Sequence, residues 1–319
     1  MKKLNITLNL IILISIIFIN ISKLYCQDKN QDVIFKAMED ELKRNIEELK
    51  LEELKVPFFI SYLLNDTKHL YIKTSLGSVI NSELNPVRNS HVKVMVGNYK
   101  LNNENFVDMN NIWGGYYQGK GKLPIENDYY GIRQSFWLNT DYTYKSAAEN
   151  YEKKISAMKQ QNLSKEIAEI TDFIKVPAKT LILESIKQNL NKEKWEKTAK
   201  ELSSVFKDIP NIISSFTTIY VYQTDVYFIN SEKTKSKYPV NIIAIQVNAY
   251  TQADDGEPLY DNVYYYGIDE NDLPSVDEMK NDVKNMAEML VKLRKAPVFD
   301  DSYSGPVLFE NQATGELFA

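Results

Sequence analysis

Two histidines, His69 and His91, and one cysteine, Cys26, are the only imidazoles and thiol in the chain. They cannot supply a disulfide framework, a cysteine-rich zinc site or a multi-histidine cage. Both histidines fall in β-type runs, where they read as sheet-edge or surface residues. Asp254, Asp255 and Glu257 surround Gly256 but lack the ligand number and spacing of an EF-hand loop, so they read as a hairpin turn. Asp269, Glu270 and Asp272 precede Pro274 and suit a helix N-terminus, where acidic side chains complement the macrodipole. Gly114, Gly115, Gly119 and Gly121 lie in a window that lacks the GK[ST] ending of a phosphate-binding loop, and they read as a surface loop or hairpin.

Charge narrows the partners. The chain has 38 basic against 43 acidic residues, a net charge of −5, which argues against binding nucleic acid by phosphate neutralisation. The lysine cluster Lys233 to Lys237 reads as a solvated hairpin tip. There are 21 tyrosines; Tyr264, Tyr265 and Tyr266 suit cross-strand packing, with a stacking surface for peptides or sugars as the alternative.

At the N-terminus, Lys2 and Lys3 precede the apolar stretch Leu8 to Ile21, which Ser22 and Lys23 close. These are the three zones of an export signal, and the apolar stretch is short of the ~20 residues of a membrane-spanning helix. The expectation is a signal over 1–26, cleaved between Cys26 and Gln27, no stable membrane span, and a periplasmic or extracellular destination. Lipid attachment at Cys26 is the lesser alternative, because Leu24 and Tyr25 before it are not small.

The chain, at 44% hydrophobic residues over its full length, can fill a core. Ile34, Met38, Leu42, Ile46 and Leu49 predict a helix between Asp32 and Leu54, ended before Pro57. β-type runs follow at 58–64, 69–75, 77–82 and 91–97. Tyr144, Ala148, Tyr151, Ile155 and Met158 predict a helix from about Asp141 to Gln161, with Thr140 or Asp141 as its cap. The plan then repeats. Trp195, Ala199, Leu202 and Phe206 mark a helix, strands are expected at 212–222, 225–229, 240–250 and 259–266, and a closing helix spans Pro274 to Lys295 with a Ser275/Glu278 capping box. The fold class is therefore α+β: two successive helix/antiparallel-sheet/helix units, 27–185 and 186–297. Residues 298–319 supply only the start of a third, β-rich domain.

Several of these segments resemble the bacterial TldD/PmbA (TldD/TldE) metallopeptidase family, whose members are often described as modulators of DNA gyrase. Pro57 to Tyr62 is similar to the family's early strand, and Val96-Gly97-Asn98 with Leu101-Asn102-Asn103 to its next two steps. Asp128 to Arg133, Phe136 to Asp141 and Tyr144-Lys145 resemble its D-Y-x-x-[LI]-R, L-W-x-x-T-D and Y-K pattern. Asn230-Ser231-Glu232 resembles its N-S-E-G hairpin, with Lys233 in the glycine place, and Ala253 to Gly256 its A-D-D-G turn. Tyr303 to Glu310, with Gly315 to Phe318 behind, looks like the opening of its third domain.

The resemblance implies peptide hydrolysis by a pair of related subunits, one of which holds zinc through an HExxxH helix. In that chemistry imidazoles hold the metal, the metal acidifies a water, and the glutamate relays protons. Here the window reads Phe309-Glu310-Asn311-Gln312-Ala313-Thr314. Glu310 matches the family glutamate, while Phe309 and Thr314 occupy the two histidine positions. The implied reading is a truncated or metal-free, TldE-like subunit with no cofactor of its own. Its partners would be a zinc-bearing TldD-like subunit or a further copy of itself, and a peptide or unfolded polypeptide. A non-enzymatic envelope binding or assembly module is the alternative. Regulation of gyrase conflicts with an export signal.

Overall fold

The computed structural model describes residues 32–51, 54–107, 119–160, 170–297 and 302–318. The expected signal, with Cys26 and Gln27, lies outside the described residues, as do Gly114 and Gly115.

Helix α1 (Val33–Glu48) begins where the Asp32 carboxylate accepts the N–H groups of Ile34 and Phe35 at 3.0 and 3.4 Å. It buries Ile34, Phe35, Met38 and Leu42. It ends earlier than the expected Leu54, because Leu49 already adopts an extended conformation. The runs read as separate strands are continuous. β1 (Pro57–Ser75) and β2 (Ser78–Val96) form one long hairpin. Leu76 and Gly77 turn it with φ of 47° and 74°, the left-handed pair that a two-residue hairpin requires.

A short strand β3 (Lys120–Lys122) pairs with β2 at Asn89–His91. Helix α2 (Tyr129–Gln160) starts twelve residues before the expected Asp141, so Thr140 and Asp141 are interior to it rather than caps. Strand β4 (Thr180–Ile182) runs parallel to the start of β6 (Lys235–Gln252). Helix α3 (Lys192–Ser204) leads through a 3₁₀ turn holding Phe206 to β5 (Ser214–Asn230). Strand β7 (Pro258–Gly267), helix α4 (Val276–Leu293) and the short helix α5 (Asn311–Leu317) complete the chain. The Ser275/Glu278 capping box of α4 is present, and Asp269 to Asp272 form a capped 3₁₀ turn in place of an α-helix start.

The α+β plan of helix, antiparallel strands and helix is present twice, and the strands of both halves hydrogen-bond into one sheet. Its order is β3-β2-β1-β5-β6-β4, with β7 beside the other end of β6. The joining pair is β1 with β5, in register from Ser61 opposite Asn230 to Thr74 opposite Thr217.

Side chains alternate across a strand, so parity assigns the two faces. Ile60, Tyr62 and Leu64 at one end of β1, and Leu70 and Ile72 at the other, share a face and are fully buried. The first three join α1, α2, β2 and the Tyr227–Ile229 end of β5 in one core. The last two join α3, α4, β6 and the Ile219–Val221 end of β5 in a second core. Between the cores, on the same face, the strands carry polar residues. Arg88 bonds Asp66 at 2.7 Å and the carbonyls of Pro124 and Glu126 at 3.1 Å. The segment 183–190 straps across this waist: Ser185 donates to Asp225, Gln188 N–H to the Gln223 side chain, and the Asn241 amide to the Ile186 carbonyl. Among the described residues no helix covers the opposite face of the sheet.

Candidate functional site

Residues 309–314 open α5 without assembling a ligand set. Glu310 is its N-cap residue, with a side chain that makes no capping bond, and the Thr314 hydroxyl donates to the Phe309 carbonyl at 2.7 Å. Phe309, Glu310 and Thr314 are all exposed or half-exposed. A phenyl ring and a hydroxyl engaged with backbone do not offer the imidazole donors zinc takes, so this window does not fit the metal. Among the described residues no group of three histidine, cysteine or acidic side chains is placed to hold a metal ion. His69 and His91 sit on one face of the sheet but six positions apart along the β1/β2 register, about 20 Å.

Several of the motif residues serve as joints. The Ile60 N–H donates to the Ser231 hydroxyl at 3.1 Å, and the Ser231 N–H to the Ile60 carbonyl at 2.8 Å. The Tyr99 hydroxyl donates to the neighbouring Glu232 carboxylate. The early-strand and N-S-E segments therefore meet at one place, beside Tyr99, although 171 positions separate Ile60 from Ser231. Lys233 occupies the glycine place of that turn at a φ of 70°. Asn98 folds the next step by accepting the N–H groups of Lys100 and Leu101, and the buried Asn103 accepts that of Val96.

The D-Y-x-x-[LI]-R stretch begins α2. Asp128 accepts the Tyr130 N–H, Tyr129 donates to Asp40 at 2.7 Å, and Arg133 donates to Glu41 at 3.1 Å. Glu41, 2% exposed, also accepts from Arg44 and Asn45, so its charge is paired. Beside it the fully buried Tyr62 hydroxyl takes a bond from Asn45 and shares one with Thr140, both at 2.8 Å. Burial drives the Tyr62 hydroxyl far above the ordinary tyrosine range.

Lys233 is exposed in the hairpin turn as expected, but the rest of the cluster is not a free tip. Lys235 and Lys237 are strand residues of β6, paired with Glu39 at 2.6 Å and Asp32 at 3.1 Å of α1. They lie over the rings of Phe35 and Tyr227. These pairs are not readable from residue order, because the acids are about two hundred positions away.

Ligand-sized space is found beside α2, where a cavity of ≈ 340 Å³ is lined by Val92, Val94, Asn103, Thr143 and Asn150, and on the helix-free face. The central depression of that face, ≈ 450 Å³, is lined by Asn65, Thr67, His69 and Asn89 of the β1/β2 hairpin and by Tyr222 and Ile242. A neighbouring one of ≈ 440 Å³ shares Asn65 and Asn89 and reaches His91 and Lys120. Contrary to the sheet-edge expectation, His69 is in the interior of the sheet, half-buried and stacked on Tyr222 with centroids 4.2 Å apart and planes 3° from parallel. Burial holds its imidazole below the usual histidine range, and its Nε2 has no partner. Tyr71 and Tyr220 continue the ladder at 5.4 Å. Tyr264 and Tyr266, on the same face, lie parallel at 6.0 Å, and Tyr264 accepts a bond from Gln246. The Asp254–Glu257 segment is the expected turn, closed by Ala253 N–H to the Glu257 carbonyl, with Gly256 at φ 96°.

No family model matches the chain, and no curated protein matches it. Solved structures do resemble it. A protein described as a modulator of a DNA gyrase from Thermotoga maritima aligns at 12% identity and a TM-score of 0.44, over 80% of this chain and 48% of that one. TldE from Thermococcus kodakarensis aligns at 9% and 0.40, over 81% and 47%. A described modulator of DNA gyrase from Bacteroides thetaiotaomicron aligns at 11% and 0.44, over 83% and 49%. The chain thus spans about half the length of each. No helix among the described residues is long and apolar enough to cross a membrane.

Proposed function

We infer that the chain is an exported, TldD/PmbA-like scaffold that supports peptide hydrolysis by a zinc-bearing partner and does not itself hold the metal. The observation that carries this reading is the use to which the motif residues are put: Ser231 bonds the Ile60 backbone of the early strand, Glu232 takes the Tyr99 hydroxyl, and Tyr129 and Arg133 bond α1. The family-like segments therefore build a frame. The window 309–314 offers one glutamate and no imidazole, which supports assigning the zinc chemistry to a different polypeptide. The helix-free face, broad and rich in amide and tyrosine side chains, also supports the alternative of a non-enzymatic binding or assembly module on the same frame.

The test is metal analysis of the purified protein together with its peptidase activity, alone and with a candidate partner carrying an intact HExxxH. The scaffold reading expects no stoichiometric zinc and no chelator-sensitive cleavage by the chain alone, with cleavage appearing when the partner is added. Zinc at one per chain, with cleavage that a chelator abolishes, overturns it. Binding of a partner without any cleavage moves the assignment to the assembly module.

A further inference from the structure

We propose that the helix-free face of the sheet is a self-association surface and that its occupant is the same face of a second copy of this chain. The proposal deepens the scaffold reading by naming the face and the partner.

Size comes first. Four strands, β2, β1, β5 and β6, at about 4.8 Å spacing and about thirteen residues each, present roughly 800 Å² around the middle of the face, one partner's share of a standard stable interface. Composition agrees. The middle of the face is uncharged and carries tyrosines, apolar groups and amides, and its charged members Lys73, Glu83, Lys93, Lys120 and Lys122 stand at the margin. Lys93 is already paired with Glu104 at 2.8 Å. Asn, Gln, Thr and Tyr side chains both donate and accept, so such a face can satisfy a copy of itself, whereas a face of one charge would repel its copy.

Register then singles out an axis. Rows of this face run Val87–Thr67–Thr224–Val240, flanked on one side by Asn85–His69–Tyr222–Ile242 and on the other by Asn89–Asn65–Val226–Tyr238. A two-fold axis crossing the strands at the Thr67 row sets each flanking row against the other. His69 of one copy then faces Asn65 of the other. One row further out, the exposed His91 faces the exposed Glu83, and Tyr71 and Tyr220 face Leu63 and Phe228. Apolar groups meet aromatic ones, and the acid meets the basic end of the face. Two sheets stacked this way at about 10 Å form a sandwich whose outer surfaces are the helices.

The test is the molar mass of the purified chain by sedimentation over a range of concentrations. A dimer with a dissociation constant of about 10 μM or tighter is expected from an interface of this size. Ile242→Lys, at a position 44% exposed, should weaken it by about 100-fold or more while leaving the melting temperature of the dilute protein unchanged. Glu83→Lys should weaken it several-fold, and adding His91→Glu to that variant should restore it; both positions are exposed, so neither change threatens the fold. A wild-type monomer at about 100 μM overturns the proposal, as does a dimer that survives Ile242→Lys or a Glu83→Lys defect that His91→Glu does not relieve. None of these results touches the zinc and cleavage measurements on which the scaffold reading stands.

Discussion

Ile60 and Ser231 exchange two hydrogen bonds, 3.1 Å from the Ile60 N–H to the Ser231 hydroxyl and 2.8 Å from the Ser231 N–H to the Ile60 carbonyl, across the junction of the two halves of the sheet. Only the first bond depends on a side chain. Ser231→Ala should therefore cost about 1 kcal/mol, the worth of one net hydrogen bond, and lower the urea midpoint without changing the slope. An unchanged midpoint would show that water replaces the hydroxyl at no cost.

Tyr62→Phe tests the buried network between α1 and α2. The ring and its stack on Phe136, at 4.5 Å, survive the change, but Asn45 and Thr140 lose a partner in a dry site. A loss of about 1–3 kcal/mol is expected, more than removing an exposed hydroxyl. Chemical denaturation checks it, with Tyr130→Phe, 75% exposed on α2, as the reference.

The two cores share β1 and β5, which predicts one unfolding transition. Met38→Ala at one end and Leu202→Ala at the other, both at 0% exposure, should each cost about 2–5 kcal/mol. Each should shift a single cooperative curve, whether followed by circular dichroism or by the fluorescence of Trp195, which is buried in the second core. Two separated transitions would show that the sheet breaks at its waist.

Alkali should unfold the protein through the Asp32–Lys237–Tyr227 cluster. Burial pushes the Tyr227 hydroxyl up to about 12. Burial alone would lower the Lys237 ammonium, but its bonds to Tyr227 and Asp32 outweigh that and raise it. From pH 10.0 to about 12 the unfolded tyrosine gives up its proton and the folded one keeps it, so stability falls with rising pH, and the raised lysine acts in the same direction. Melting temperatures across that range should fall less steeply in Tyr227→Phe. An identical slope removes Tyr227 from the explanation.

How legible this was in the residues varied along the chain. The α4 helix and its Ser275/Glu278 box were plain, because Met279, Val283, Met286 and Leu290 keep a clean apolar stripe above a polar surface. The long strands read as broken because Asn65 to Lys68 and Gln223 to Asp225 interrupt the apolar alternation; these residues form the waist, where the covering layer is the polar strap 183–190 and not a helix. The first three turns of α2 were missed because Asn139, Thr140 and Thr143 are buried while Trp137 and Leu138 are exposed, which blurs the stripe. At the candidate site, the chemistry of 309–314 was readable from residue types alone. The ladder of His69, Tyr222, Tyr220 and Tyr71 was not, since it depends on the pairing of β1 with β5 across some 150 positions.

The uninterrupted run of β1 through both cores has a mechanical meaning. Nineteen residues of strand extend about 60 Å, so a single ribbon of peptide ladders, with no flexible linker, carries twist from one helix pair to the other. A load applied to α1 and α2 is felt by α3 and α4 as a change of pitch, and the lightly clothed girdle between them is where the ribbon yields first.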